Sequence, residues 1–173
     1  MGREVHLPGD DLSSRSVGLT CRQFGIECIM GCNIHEIIER KEHRLWINSG
    51  CPRIGKNYHI FSILADVRNE FGFAPISEPR GLPDEATVGA CCQEFRRFAE
   101  PPGESDHSHS WVTLRELKEF DLAPVRRASE QSNKDDRWCQ ASWDYLVSEL
   151  QAVKDHYKLG SDDDVRLVFF FDN

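Results

Sequence analysis

Histidine and aspartate residues at three points of the chain have the types and spacing expected of a polar reaction site. His107 and His109 form an H-x-H pair, and in an extended segment we expect both imidazoles to face one side and to supply two nitrogen ligands to a metal. Asn33 and His35 alternate onto one face of a predicted strand, and Asp172 follows the last predicted strand. A carboxylate at that position binds a cation or orients an imidazole. We therefore predict a metal-binding and catalytic set made of His35, His107, His109 and Asp172.

The chemistry that such a set predicts is metal-assisted hydrolysis. A divalent cation, zinc or manganese, with one position left for water, would lower the pKa of that water and make it a nucleophile. Basic and amide side chains would neutralise and orient a phosphoester or nucleotide substrate. The predicted substrate-binding residues are Asn33, Arg53, Lys56 and Arg80. Solvated surface charge is the simpler interpretation of the basic residues.

Simpler interpretations of the histidines and the aspartate also remain open. His107 and His109 would equally satisfy loop backbone groups before a helix, and Asp172 would equally hydrate the end of the chain. Cys32 is a possible nucleophile with a histidine base, but strand alternation points it away from His35. The glycines form neither a P-loop nor a dinucleotide fingerprint, so nothing in the sequence favours ATP or NAD binding.

Composition predicts one globular domain without broad nucleic-acid binding. The chain has 173 residues, of which 39% are hydrophobic and 29% charged, and its net charge is −8. That charge disfavours an extended grip on phosphate backbones, which depends on clustered Lys and Arg. Seven cysteines, an odd number with no C-x-x-C pair, indicate reduced thiols. Without a signal peptide or a membrane-spanning run, we expect the protein in the cytoplasm, away from membranes.

Hydrophobic periodicity predicts an α+β fold, a small central sheet covered by helices. The sheet contains strands that begin at Gly31 and Val165, and the covering helices begin near Tyr58 and Gln140. A capping box at Thr113 predicts a further helix start. We also expect a short helix over 86–98 and a mobile connection over 126–137. Residues 1–29 are predicted to be a loosely held N-terminal extension, and residues 30–173 a single domain.

Five sequence blocks carry a resemblance to a known family. The blocks are MGCNIHEIIE, GKNYHIFSILADVRN, ISEPRGLP, HSHSWVTLREL and VRLVFFFDN. In this order they resemble an uncharacterised protein family common in bacteriophage and prophage genomes, whose members typically open with Met-Gly-Cys-Asp-Ile-His. The resemblance implies a viral or prophage origin, the host cytoplasm as location and a shared fold, without a reaction. Asn33 stands where the family generally has Asp, and Lys56 where Arg is common. If that Asp binds a cation in the relatives, its replacement by Asn33 would weaken cation binding here.

Two classes of function follow from these residues. The first is a metal-assisted hydrolase of a phosphoester or nucleotide. The second is a noncatalytic phage accessory protein that binds a host protein or sequesters a small nucleotide-like ligand. A structural or assembly protein is the third interpretation, which the absence of repeats and coiled-coil heptads disfavours.

Overall fold

The structure, a computed structural model, describes residues 31–83, 102–131 and 140–173. All of them belong to one compact unit that runs from Gly31 to Asn173. The predicted extension at 1–29 and the predicted helix at 86–98 lie outside the described residues.

Four antiparallel strands form one sheet in the order β2-β1-β4-β3. The strands are β1 (Asn33–Glu42), β2 (Leu45–Gly50), β3 (Asp106–Thr113) and β4 (Val165–Asp172). The strands predicted to begin at Gly31 and Val165, β1 and β4, are the inner pair. Every residue of β4 from Val165 to Phe171 is buried, as its nearly unbroken apolar run predicts for a central strand.

Helices follow the strands in the described part of the chain and confirm the predicted α+β class. They are α1 (Tyr58–Ala65), α2 (Leu114–Glu119), α3 (Ala123–Gln131) and α4 (Gln140–His156), with a 3₁₀ turn at Asp162–Asp164. Asn57 caps α1 by accepting from the amide of Ile60, and Thr113 with Glu116 forms the predicted capping box of α2.

Helix α3 corrects the prediction of a mobile connection over 126–137, because the chain is helical as far as Gln131. Only Val125 and Ser129 are buried in this helix. The segment is amphipathic but mostly polar and charged, and its one buried apolar side chain is too little apolar material to indicate a helix packed on a core.

The two sides of β4 pack in different surroundings. Side chains from Val165, Leu167, Phe169 and Phe171 enter the main core with residues of all four helices, and we call this side the core face. The alternate side chains lie on the opposite side, the second face: Arg166, Val168, Phe170 and Asp172. The helices therefore pack against the core face of the sheet, while the polar side chains of β4 lie on the second face.

A ladder of cations and indoles crosses the second face. Arg166 lies 3.8 Å from the ring centre of Trp46 and 5.5 Å from that of Trp111. Lys41 lies over the Trp46 ring and Arg80 over the Trp111 ring, at 5.8 and 4.7 Å. Cations and aromatic faces attract each other more strongly when water is excluded. The ladder therefore joins all four strands and the segment that carries Arg80.

Candidate functional site

Polar side chains gather on the second face at the end of the sheet where β1 begins and β4 ends. Asn33 and Asp106 are the register partners of Asp172, one on each side of it. Residues directly opposite on neighbouring strands share a face, so the three side chains form one row. The next row toward the middle of the sheet contains two histidines. We call the five residues the polar site: Asn33, His35, Asp106, His109 and Asp172.

The contact between His35 and Asp172 is the most defined part of the polar site. Nε2 of His35 lies 3.0 Å from Oδ2 of Asp172, and Nδ2 of Asn33 donates to Oδ1 over 2.9 Å. An ionised carboxylate only accepts hydrogen bonds, so Nε2 carries a proton and donates it. In the neutral ring, Nδ1 is then the nitrogen that carries the lone pair. The two side chains are 18% and 19% exposed, so the pair reaches the surface.

Phe170 separates the two histidines of the polar site. Its ring stacks on His35 with the ring centres 4.8 Å apart and on His109 with the centres 5.1 Å apart. Burial lowers the pKa of His109, the charge of Asp106 opposes this, and His107 lowers the pKa further. His109 therefore favours the neutral imidazole at neutral pH.

His107 does not share the face of His109, so the prediction that both imidazoles face one point is wrong. The β3 register shifts between His107 and Ser110, and Ser108 has a left-handed φ of 53°. This bulge adds a residue to β3 and reverses the alternation beyond it. His107 pairs with and stacks on Phe171, on the core face, and its Nε2 accepts from Nδ2 of Asn173 at 3.1 Å.

The predicted four-residue metal set is consequently not brought round one point in this structure. Across residues 31–83, 102–131 and 140–173, no three or more His, Cys, Asp or Glu side chains are arranged to hold a metal ion. His35 and Asp172 do meet, and His109 shares their face, but His107 lies on the other side of the sheet. Zinc or manganese binding stays a prediction.

The predicted substrate-binding residues have different surroundings. Arg80 donates to both carboxylate oxygens of Glu116 and to the carbonyl oxygen of Trp111, so its charge is already compensated. Arg53 and Lys56 are exposed. Nζ of Lys56 lies beside Gly31, at 2.8 Å from the position that a Cβ there would take. Lys56 is thus an exposed cation next to the start of β1, at the same end of the sheet as the polar site.

Cys32 points into the core, as strand alternation predicts. It is fully buried on the core face, on the opposite side of β1 from His35. Burial raises the pKa of its thiol, and nearby Arg68 and Lys56 oppose the shift only in part. The structure therefore provides no cysteine–histidine pair at this position.

Two functional features are not apparent from the sequence patterns used above. Asp106 and His109 are three residues apart, and only the bulge places them on one face, so alternation does not detect the pair. Arg166 could have been singled out from the sequence, because it is the one charged residue in the run VRLVFFF. A charge in a buried strand requires a partner, and here the partner is Glu39, 127 residues away in the chain.

Comparisons of this chain with family models, with curated proteins and with solved structures find no match. The resemblance to the bacteriophage and prophage family therefore stays a prediction. None of the helices in the described residues has the length and apolar character needed to cross a membrane.

Proposed function

We propose that this chain is a hydrolase of a small phosphorylated ligand, a phosphoester or a nucleotide, in which His35 and Asp172 transfer the proton that bond cleavage requires. The observation that carries the proposal is the 3.0 Å contact between these two side chains, with Asn33 holding the second carboxylate oxygen.

A carboxylate on one imidazole nitrogen prepares the other nitrogen for proton transfer. Asp172 holds the ring of His35 in one orientation and would balance the charge of an imidazolium formed during the reaction. Proton transfer by a positioned histidine accelerates a reaction by about 10²–10⁴-fold. Asn33 fixes the carboxylate by an independent hydrogen bond, so the geometry of the pair does not depend on the substrate.

Charge near the polar site supports an anionic ligand of limited size. Lys56 and Arg53 are exposed cations in the segment that leads from β2 to α1, and Lys56 reaches the start of β1. Such side chains attract a phosphate group. The net charge of −8 opposes a long polyanion such as duplex nucleic acid, which needs many cations at once. A nucleotide or another small phosphate ester satisfies both conditions.

Hydrolysis by the full chain, purified without a polyhistidine tag, tests the proposal. The substrates are a nucleoside monophosphate, a dinucleotide and a 2′,3′-cyclic nucleotide, each with an alcohol as leaving group. We expect His35→Ala and Asp172→Asn to lower turnover of the preferred substrate by about 100-fold or more. The matched control is His156→Ala, an exposed histidine at the end of α4, which should change turnover less than about twofold. The melting temperature of each variant checks its folding.

Two results would contradict the hydrolase. One is the absence of turnover with all three substrates, and the other is equal turnover by the His35→Ala and His156→Ala proteins. A nucleotide that raises the melting temperature without being cleaved would favour the noncatalytic accessory protein. Metal analysis of the same preparation tests the predicted zinc or manganese directly.

A further inference from the structure

The ammonium group of Lys56 lies against the backbone of Gly31, the residue that leads into β1. Nζ of Lys56 is 2.8 Å from the position that a Cβ on residue 31 would take, and Cε is 4.0 Å from it. A Cβ does not tolerate a contact as short as the first, so any side chain at residue 31 would displace the ammonium. The lysine reaches this place because residue 31 is a glycine.

The backbone conformation of Gly31 does not itself require a glycine. Its φ lies outside the left-handed region, whereas Gly55 has a φ of 66°. Among the residues that the structure describes, the end of the Lys56 side chain is all that a Cβ at residue 31 would meet within 4 Å. Gly31 is also exposed, so it adds nothing to the core. The room for the ammonium is therefore the physical consequence of having a glycine here.

The backbone on both sides of Lys56 is fixed. Before it, the amide of Ile54 donates to Oε1 of Glu36 on β1 over 3.0 Å. After it, the amide of Asn57 donates to the carbonyl oxygen of Gly55 over 3.1 Å, and the side chain of Asn57 caps α1. A lysine loses the freedom of a long side chain when it binds a ligand, and it loses less when that side chain is already positioned.

The charge of Lys56 has no carboxylate partner among the described residues 31–83, 102–131 and 140–173. Other cations of the same part of the chain are compensated by an aspartate or a glutamate: Arg40, Arg80, Arg115, Lys118, Lys154 and Arg166. A positioned cation without a carboxylate attracts an anionic ligand.

Lys56 lies at the end of the sheet that carries the polar site. Gly31 is two residues before Asn33, so their backbones are at most about 7 Å apart, and Asn33 donates to the carboxylate of Asp172. Burial is the main cause that raises the pKa of the Cys32 thiol, but Asp172 also raises that pKa and Lys56 lowers it. Both charges therefore lie near one atom, and an anion held by Lys56 is next to the polar site.

Resting on the proposed function, we infer that Lys56 binds a phosphate group of the ligand and that Gly31 is the positioning residue that gives its ammonium room. An ammonium has three N–H donors, and phosphate oxygens accept strong hydrogen bonds from charged donors. Hydrolysis of a phosphate monoester releases inorganic phosphate, so the free anion binds in the same place as the phosphate of the ester.

Binding of inorganic phosphate to the full chain tests this inference without any turnover. An NMR titration of the backbone amides gives the dissociation constant. We expect Lys56→Gln to raise it by about tenfold or more, and Gly31→Ala to raise it by about threefold or more, because the new methyl displaces the ammonium. The matched control is Gly160→Ala, an exposed glycine without a left-handed φ, where a Cβ meets nothing within 4 Å. It should leave the dissociation constant unchanged.

The double variant Gly31→Ala with Lys56→Gln shows how the methyl acts. If the methyl acts only through the ammonium, the double variant binds phosphate as weakly as Lys56→Gln alone. A further loss in the double variant would mean that the methyl disturbs the site in another way, and the role of Gly31 would be wrong. Melting temperatures check folding. Unfolding of Gly31→Ala but not of Gly160→Ala would also contradict the role of Gly31, because the Cβ would then meet more than a flexible side chain.

The remaining outcomes separate this inference from the proposed function. Phosphate that does not bind the unmodified protein, or binds Lys56→Gln equally well, overturns the role of Lys56. Equal binding by Gly31→Ala and Gly160→Ala overturns the role of Gly31. Turnover of the three nucleotide substrates is measured on the same preparations, so cleavage that persists in either case leaves the proposed function standing. Phosphate binding that depends on Lys56 and Gly31 without any turnover would support the inference and contradict the hydrolase.

Discussion

Nε of Arg166 lies 2.6 Å from Oε2 of Glu39 in the interior of the second face, with 4% and 1% of the two side chains exposed. The guanidinium also lies on the ring of Trp46 at 3.8 Å. Two charges removed from water are stable only while each has its partner. The pair sits two rows along the sheet from His35 and Phe170, so it fixes the register of β1 against β4 on which the polar site depends.

Breaking this buried pair should cost much more stability than breaking an exposed one. We expect Glu39→Gln and Arg166→Leu each to lower the free energy of unfolding by about 3–5 kcal/mol. The double variant Glu39→Leu with Arg166→Leu should be more stable than either single variant, because no unpaired charge is left buried. Urea unfolding measures all three. The matched control is Arg115→Ala, whose ion pair with Asp163 is exposed and should matter little. Single variants as stable as that control would contradict the assignment.

Protonation of Glu116 should lower the free energy of unfolding at acid pH. The hydrogen bond from Arg80 is the main cause that lowers the pKa of Glu116 from its usual value of 4.5, and the amide of Thr113 contributes. A carboxyl with a lowered folded-state pKa adds stability that is complete above pH 4.5. That contribution disappears as the pH falls through the lower, folded-state value.

Unfolding by urea at a series of pH values tests this. Glu116→Gln should lower stability at pH 7 and flatten its dependence on pH below 4.5. Glu130→Gln, at an exposed position of α3, is the control and should leave the pH dependence unchanged. If both variants show the same acid limb as the unmodified protein, Glu116 does not contribute as stated.

Short sequence patterns predicted those features of the structure that depend on residues close together in the chain. The nearly unbroken apolar run of β4 predicted a central strand, and strand alternation predicted that Asn33 and His35 share a face. Thr113 with Glu116 gave the start of α2, since a capping box is complete within four residues. The sequence predicted that His35 and Asp172 lie in one site, but the antiparallel pairing of β1 with β4 that brings them into contact is seen only in the structure.

Features that depend on pairing between distant segments could not be predicted in this way. The β3 bulge exists only because the strand pairs with β4, and it reverses the face of His107 relative to His109. Arg80 was predicted to bind substrate, but Glu116 compensates its charge, and the pair joins residues 36 positions apart. A sequence does not show which of its cations already has a carboxylate partner after folding.

The thiol of Cys32 should be unreactive in the folded protein. It is fully buried, and burial raises its pKa, so little thiolate forms and reagents do not reach it. Treatment with iodoacetamide at pH 8, followed by mass spectrometry of peptides, should leave Cys32 unmodified in the native protein and fully modified in urea. Cys51 is partly exposed and should react faster than Cys32. Rapid modification of Cys32 in the native state would contradict its place in the core and reopen a nucleophilic role.

The bulge at Ser108 should control the orientation of His109. Ser108 has a φ of 53°, a conformation that glycine adopts freely and a β-branched residue strongly disfavours. Ser108→Gly and Ser108→Val both remove the hydroxyl that is hydrogen-bonded to His107, so the difference between them reports backbone strain. We expect Ser108→Gly to retain stability within about 1 kcal/mol, and Ser108→Val to lose roughly 1–3 kcal/mol.

NMR titration of His109 should give a pKa below 6.5 in the unmodified protein and in Ser108→Gly. In Ser108→Val that pKa should move toward 6.5, because a rearranged bulge no longer buries the ring against Phe170. Equal stability and equal His109 titration in the two variants would show that the bulge does not set the face on which His109 lies.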